Sequence, residues 1–243
     1  MFSKLGLTRN VIRPHYALIT PDGLVPGVLP GWSGTIVHTL ISAAMGAGLV
    51  QLLLKMEPGS HGTVNTGPDE WFLYLLYGSG QLDGESLGEG GFAWIPPGET
   101  FQFQAREPGT QVLIFRKSYQ PLEGWPHAGR RTGRADAVPG IPFLGDPAAR
   151  LQTLLPDDLS ADMAVNLFTY DPGATLPFVE THVMEHGMHF LEGGGLYRLG
   201  DDWHPVTAGD SLWIAPYCPQ WFIAAGPGPA RYIYYKDINR SPA

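Results

Sequence analysis

The stretch Pro177-Phe178-Val179-Glu180-Thr181-His182-Val183-Met184-Glu185-His186-Gly187 packs two histidines and two carboxylates into seven positions. Imidazole nitrogens and carboxylate oxygens are the donors that hold borderline and hard divalent cations. On a helix His182 and His186 share a face, but Glu180 points away. Pro177 and Gly187 bracket the segment too closely for a good helix, and Val179, Thr181 and Val183 favour extended chain. On a strand Glu180 and His182 project from one face, ~6.6 Å apart. Both then reach one ion with bonds of roughly 2.0–2.2 Å. His186 lies ~13 Å beyond His182 on a straight strand, too far to share that ion. The chain is therefore expected to bend after His182 and to return His186 on the next strand, which ends in a hairpin at Gly193-Gly194-Gly195. Glu185 is the alternative carboxylate, but its parity relative to His182 on a simple strand favours Glu180.

A fourth donor is expected from a later paired strand, and Gln220, just after Pro216-Tyr217-Cys218-Pro219, is the candidate. Two imidazoles, a carboxylate and an amide oxygen suit an octahedral ion such as Mn²⁺, with two positions open for water or substrate. Structural zinc sites are usually closed by thiolates, and Cys218 is the one cysteine of the chain. Lys236, on a mostly apolar terminal strand, reads either as an edge residue with a solvated head or as the holder of a substrate carboxylate. Tyr197 and Tyr232 read as core packing or as hydroxyl contacts in the same cavity. His189 and His204 read as surface or hydrogen-bonded structural residues.

Something must position these groups, and an internal repeat indicates what. Four blocks recur in order at an offset that drifts from 114 (Glu57 to Asp171) to 119 (Phe115 to Tyr234). They comprise a Pro-Gly turn, a glycine-rich turn after an apolar run, a Gly-led Trp-Ile strand with a following proline, and a closing aromatic run with no helical period. Each half reads as seven or eight short strands, the size of a small jelly-roll barrel. The expectation is an all-β protein with two tandem jelly-roll β-barrels. Residues 1–117 form the first barrel with an N-terminal extension whose apolar runs add strands to either sheet. Residues 118–150, dense in Gly and Pro, form a linker without regular structure. Residues 151–243 form the second barrel, with the metal site. A short helix is expected over Pro147–Leu155, with proline at its start. At an offset of 115 the positions of Glu180, His182 and His186 correspond to Asn65, Gly67 and Trp71, and Gln220 falls near Phe101 or Gln102. The first barrel is thus expected to be ligand-free, with His61 and Glu70 isolated.

Composition agrees with this reading. Gly 32 and Pro 23 suit many strands joined by turns. The net charge of −8 argues against a nucleic-acid partner, and Arg130, Arg131 and Arg134 read as a solvated loop. A single cysteine fits a reducing compartment. Met1–Asn10 has no apolar core of a signal peptide, and no apolar run is long enough to span a membrane. A soluble cytoplasmic protein is expected.

The pattern resembles the cupin superfamily. Gly173, Glu180-x-His182, His186 and Gly193 reproduce the spacing of the first cupin motif with Glu and His exchanged. In the second motif Gln220 stands for the usual histidine, one residue early. Both departures, with Ala17-Leu-Ile-Thr-Pro-Asp-Gly23, Leu29-Pro-Gly-Trp32 and Tyr234-Tyr-Lys-Asp237, resemble the (S)-ureidoglycine aminohydrolase family over nearly the whole chain. That resemblance implies a manganese-dependent hydrolase of purine (allantoin) breakdown, with Glu180, His182, His186 and Gln220 on the metal. It implies that Tyr197, Tyr232 and Lys236 line the pocket of a small ureide substrate, and that Lys236 and Glu180 take part in catalysis. Two-barrel cupins often pair through sheet edges, so a homo-oligomer is expected. The competing readings are a cupin isomerase or dioxygenase acting on another small polar acid, and a non-catalytic ureide-binding cupin.

Overall fold

The computed structural model describes residues 7–238, so part of the Met1–Asn10 stretch lies outside the described residues. Apart from single 3-10 turns at Pro21–Gly23, Ala43–Met45 and Ala135–Ala137, every described element is a strand. The first half curls one sheet around its own core. Its order is Arg131–Arg134, Gly91–Ile95, Asp69–Tyr77, Thr110–Ser118, Leu49–Asn65, Thr100–Ala105, Ser79–Leu82 and Glu85–Gly88, with Trp32–Ile41 beside Leu49–Asn65. The second half faces an eight-stranded sheet with a three-stranded one, Asp202–Thr207, Gly194–Leu199 and Gln220–Ala224.

Burial follows the strand period of two. Thr100–Ala105 buries Phe101, Phe103 and Ala105 while its polar residues face outward. Alternate residues of the larger strands serve two cores. In Thr110–Ser118, Val112 and Ile114 fill the first barrel, whereas Leu113 and Phe115 face the other half. Ile233 and Tyr235 do the same from the second half, and the Phe115 and Tyr235 rings meet at 6.1 Å. The two large sheets thus pack face to face over a third core between the barrels.

Leu49–Asn65 is a single 17-residue strand. Pro58-Gly59, expected as a turn, is a corner inside it, with Gly59 at φ 87°. Before the corner the strand pairs with Thr110–Ser118, and after it with Thr100–Ala105. In the second half Pro172-Gly173 makes the same corner as a break, after which Thr175 and Glu180 bridge singly to Ile223 and Gln220. Gly193 likewise forms no hairpin. It carries the chain from the eight-stranded sheet to the three-stranded one, and a Cβ there would lie 2.2 Å from the Pro229 carbonyl oxygen.

Three expectations are corrected. The segment 118–150 contains regular elements: Arg131–Arg134 edges the first sheet, and Ile141–Phe143 pairs with Asp146–Leu155 in the second. The arginine cluster is no solvated loop. Arg131 pairs with Asp158 at 2.8 Å, Arg134 with Asp136 at 2.8 Å, and Arg130 with Glu99 at 3.0 Å and with Asp83. Pro147–Leu155 is strand, not helix. Residues 149–155 pair with Met163–Tyr170, while Pro147 sits in the irregular stretch of the pairing with Ile141–Phe143 and withholds no ladder hydrogen bond. The N-terminal strands Val11–Arg13 and Tyr16–Ile19 join the second half's sheet, Tyr16–Ile19 pairing with Ser211–Ile214.

Across the seam two carboxylates mirror one another. Buried Glu70 accepts from Trp94 Nε1 at 2.9 Å and from the Asp162 amide at 3.2 Å. Glu185, 115 positions later, accepts from Trp213 Nε1 at 2.7 Å and from the Gly48 amide at 2.9 Å. Each half therefore anchors the backbone of the other.

Candidate metal centre

Glu180 is held by two backbone hydrogen bonds to Gln220, at 2.8 and 2.9 Å, which fix both residues at one end of the second barrel. The backbone bends at Val183, after the His182 carbonyl accepts the Tyr217 amide at 2.7 Å. The strand His186–Glu192 then begins at His186 itself. The bend and return expected from strand geometry are therefore present, although Glu180–Glu185 is irregular apart from the one bridge.

The four side chains meet in a cavity of ≈ 220 Å³. His182 Nε2 lies 3.2 Å from His186 Nε2, 3.2 Å from Gln220 Nε2 and 3.9 Å from Glu180 Oε2. Among the described residues, no group of three His, Cys, Asp or Glu side chains is disposed to hold a metal ion by itself. The carboxylate stands back here, and the fourth group is an amide. The donor set nevertheless fits a cation. Bonds of roughly 2.0–2.2 Å place neighbouring octahedral ligands about 2.8–3.1 Å apart, close to the separations seen around His182 Nε2.

The electrostatics agree. His186 Nδ1–H donates to the Tyr235 carbonyl at 3.2 Å, which leaves the Nε2 lone pair facing the cavity. Burial pushes His186 down to about 3 and lowers His182, so both rings are neutral donors. Burial raises the Glu180 carboxyl, an effect opposed by the Lys236 charge. Neutral imidazoles beside a desolvated carboxylate form a site short of positive charge. Tyr197, fully buried, donates to Gln220 Oε1 at 2.9 Å. Exchanging the amide ends turns the oxygen toward His182 and lets the amide nitrogen donate to the tyrosine hydroxyl, so Tyr197 supports either orientation.

Tyr232 and Lys236 also line the cavity. The Tyr232 hydroxyl meets that of Tyr170 at 3.2 Å. Lys236 Nζ pairs with Asp157 at 2.8 Å, a partner that sequence reasoning missed. Tyr234 was missed as well. It shares the parity of Tyr232 and Lys236 on Ala230–Asp237, lines the cavity, and stands edge-on to His186 at 5.5 Å. Glu185, the alternative carboxylate, is committed to the seam. His189 Nδ1 contacts Ser211 Oγ at 2.9 Å, and His204 Nε2 contacts the Tyr16 hydroxyl at 3.2 Å.

The first barrel is closed at the corresponding place. Trp71 occupies the inward position of His186, edge-on to Phe101 at 5.8 Å, with the Arg116 guanidinium over its ring at 5.3 Å. Phe101 takes the inward place of Gln220, and Arg116 that of Lys236.

The Cupin domain model matches residues 166–235. A rice protein (Oryza sativa subsp. japonica) named probable (S)-ureidoglycine aminohydrolase is 37% identical over 98% of this chain and 77% of its own length. The (S)-ureidoglycine aminohydrolase of Escherichia coli (strain K12) is 33% identical over 93% of this chain and 89% of its own. The crystal structure of a putative glyoxylate induced protein from Pseudomonas aeruginosa superposes with a TM-score of 0.88 at 29% identity, covering 98% of this chain and 94% of that one. With such identity carried across both halves, the chain belongs to the (S)-ureidoglycine aminohydrolase family of cupin enzymes.

Proposed function

We propose that the protein is a manganese-dependent hydrolase that releases ammonia from (S)-ureidoglycine, giving (S)-ureidoglycolate, in purine breakdown. The observation that carries this reading is the meeting of Glu180, His182, His186 and Gln220 in one cavity, with Lys236 on its wall. Those four residues would hold Mn²⁺, and the ion would supply Lewis-acid polarisation and a template for the substrate's amine and carboxylate.

The chain's own groups do the rest. Lys236 exchanges Asp157 for the substrate carboxylate, a charge-assisted contact that fixes the stereocentre. Glu180 is the one carboxylate among the described lining residues, and on letting go of the ion it would take the proton of the attacking water and pass it to the departing amine. Leu176, Phe168 and Met188 form apolar wall, which excludes bulk water and strengthens the charge contacts inside. The Tyr235 carbonyl keeps the His186 proton on Nδ1 throughout.

An ammonia-release assay on freshly generated (S)-ureidoglycine, with and without Mn²⁺, tests the reading. A metal-dependent rate above spontaneous decay is expected. Equal rates with and without protein and metal would refute it.

A further inference from the structure

A second cavity, of ≈ 570 Å³, is separate from the metal cavity and shares no lining residue with it. It opens at the seam between the halves, where repeat-related residues face each other: Tyr74 and His189, Leu76 and Leu191, Gln111 and Arg231. Both halves therefore contribute corresponding positions to its wall. The repeat has diverged here toward charge. Gln111 of the first half is replaced by a cation in the second.

Arg231 is half-buried, and one terminal nitrogen donates to the neutral Gln152 Oε1 at 3.0 Å. Its Nε is buried without a partner, and among the described residues no carboxylate pairs with it. Glu192 lies opposite Arg231 on the neighbouring strand without reaching it as an ion pair, so the half-buried guanidinium keeps free N–H groups whose fork an oxyanion fits. The rim carries the opposite charge. Glu89 and Glu192 are exposed, and among the described residues neither side chain has a hydrogen bond or ion pair, whereas Asp136 is already paired with Arg134 at 2.8 Å. A simple anion is repelled by this rim, and a simple cation by the floor. A molecule with a carboxylate and an ammonium satisfies both ends. The Tyr74 hydroxyl and the Gln111 amide add neutral hydrogen-bonding capacity.

We infer that this seam cavity binds a small α-amino acid with an uncharged polar side chain, its carboxylate on Arg231 and its ammonium toward Glu89 and Glu192. Calorimetric titration of the full chain with three probes tests this. They are L-glutamine, glutaramate (the same molecule without its ammonium) and 4-aminobutanamide (without its carboxylate). Glutamine should bind saturably at one site, and each half-ligand about tenfold or more weaker. Arg231→Gln should abolish binding and the exposed Glu89→Gln/Glu192→Gln pair should weaken it, while His186→Ala should bind as wild type. The proposal is overturned by absence of saturable glutamine binding at millimolar concentrations, or by half-ligands that bind equally well. Binding that is lost in His186→Ala but kept in Arg231→Gln would place the amino acid in the metal cavity and overturn it too.

Discussion

Three side chains crowd one nitrogen, Nε2 of His182, and the residue-scale predictions follow from that crowding. His182→Ala and His186→Ala should each lose bound Mn²⁺ in elemental analysis and lower turnover by about 10² or more; full occupancy in both would mean that the ligand assignment is wrong. Tyr197→Phe removes the hydroxyl that anchors Gln220, and should weaken Mn²⁺ affinity by about 10- to 100-fold without unfolding the barrel. Lys236→Ala should raise KM or abolish turnover with metal retained. Wild-type kinetics there would return the lysine to a partner of Asp157 alone. That Glu180 and His182 lie together, with His186 coming back to them, was legible in the close spacing of the three, although Glu180 and His182 sit on irregular chain and not on the strand that was expected. Tyr234 was equally legible, two residues from both Tyr232 and Lys236. Asp157 was not, because it reaches Lys236 from 79 residues away, and no local spacing encodes that contact.

At the scale of elements, the segment 146–155 shows where local propensity misleads. Ala148, Ala149, Arg150 and Leu151 favour a helix in isolation, but the neighbouring strand Met163–Tyr170 offers a ladder and a buried face, and the tertiary pairing wins. The mirrored Glu70 and Glu185 were hidden for the same reason. Neither matches a motif, and the backbone amide that each one holds lies on the opposite half. Glu70 carries a measurable consequence. Burial raises its carboxyl from 4.5 to about 7, against the opposing effect of its Trp94 hydrogen bond. The folded state then keeps a proton that the unfolded chain has lost, so this group's contribution to stability is full below about pH 4.5 and declines as pH rises to about 7. Over that window the loss is on the order of 3 kcal/mol. Denaturant melts at pH 5 and pH 8 should show a smaller drop for Glu70→Gln than for wild type; superimposable pH profiles would show that Glu70 does not titrate there.

For the whole molecule, the repeat made the all-β, two-barrel architecture readable, because jelly-roll corners need the same Pro-Gly and glycine-led blocks twice. What it could not convey is how the halves exchange parts. No helix among the described residues is long and apolar enough to cross a membrane. Val25 and Val28 expose 79% and 89% of their surface, beside Ile36 at 50%, an apolar patch suited to self-association. Light scattering should therefore report a homodimer or larger, and a strictly monomeric mass at micromolar concentration would count against that. The N-terminal hairpin adds a constraint of timing. Tyr16–Ile19 is made early, yet its partner strand Ser211–Ile214 emerges about 190 residues later. At roughly 5–20 residues per second, the ribosome leaves that hairpin waiting about 10 to 40 s with an unclaimed edge. The first barrel can close in that interval, but the second barrel completes its sheet only once Ser211–Ile214 and Ala230–Asp237 have been made. Slow elongation thus exposes a sticky nascent strand, and a chaperone that shields it in transit would raise the yield of enzyme without altering the finished fold.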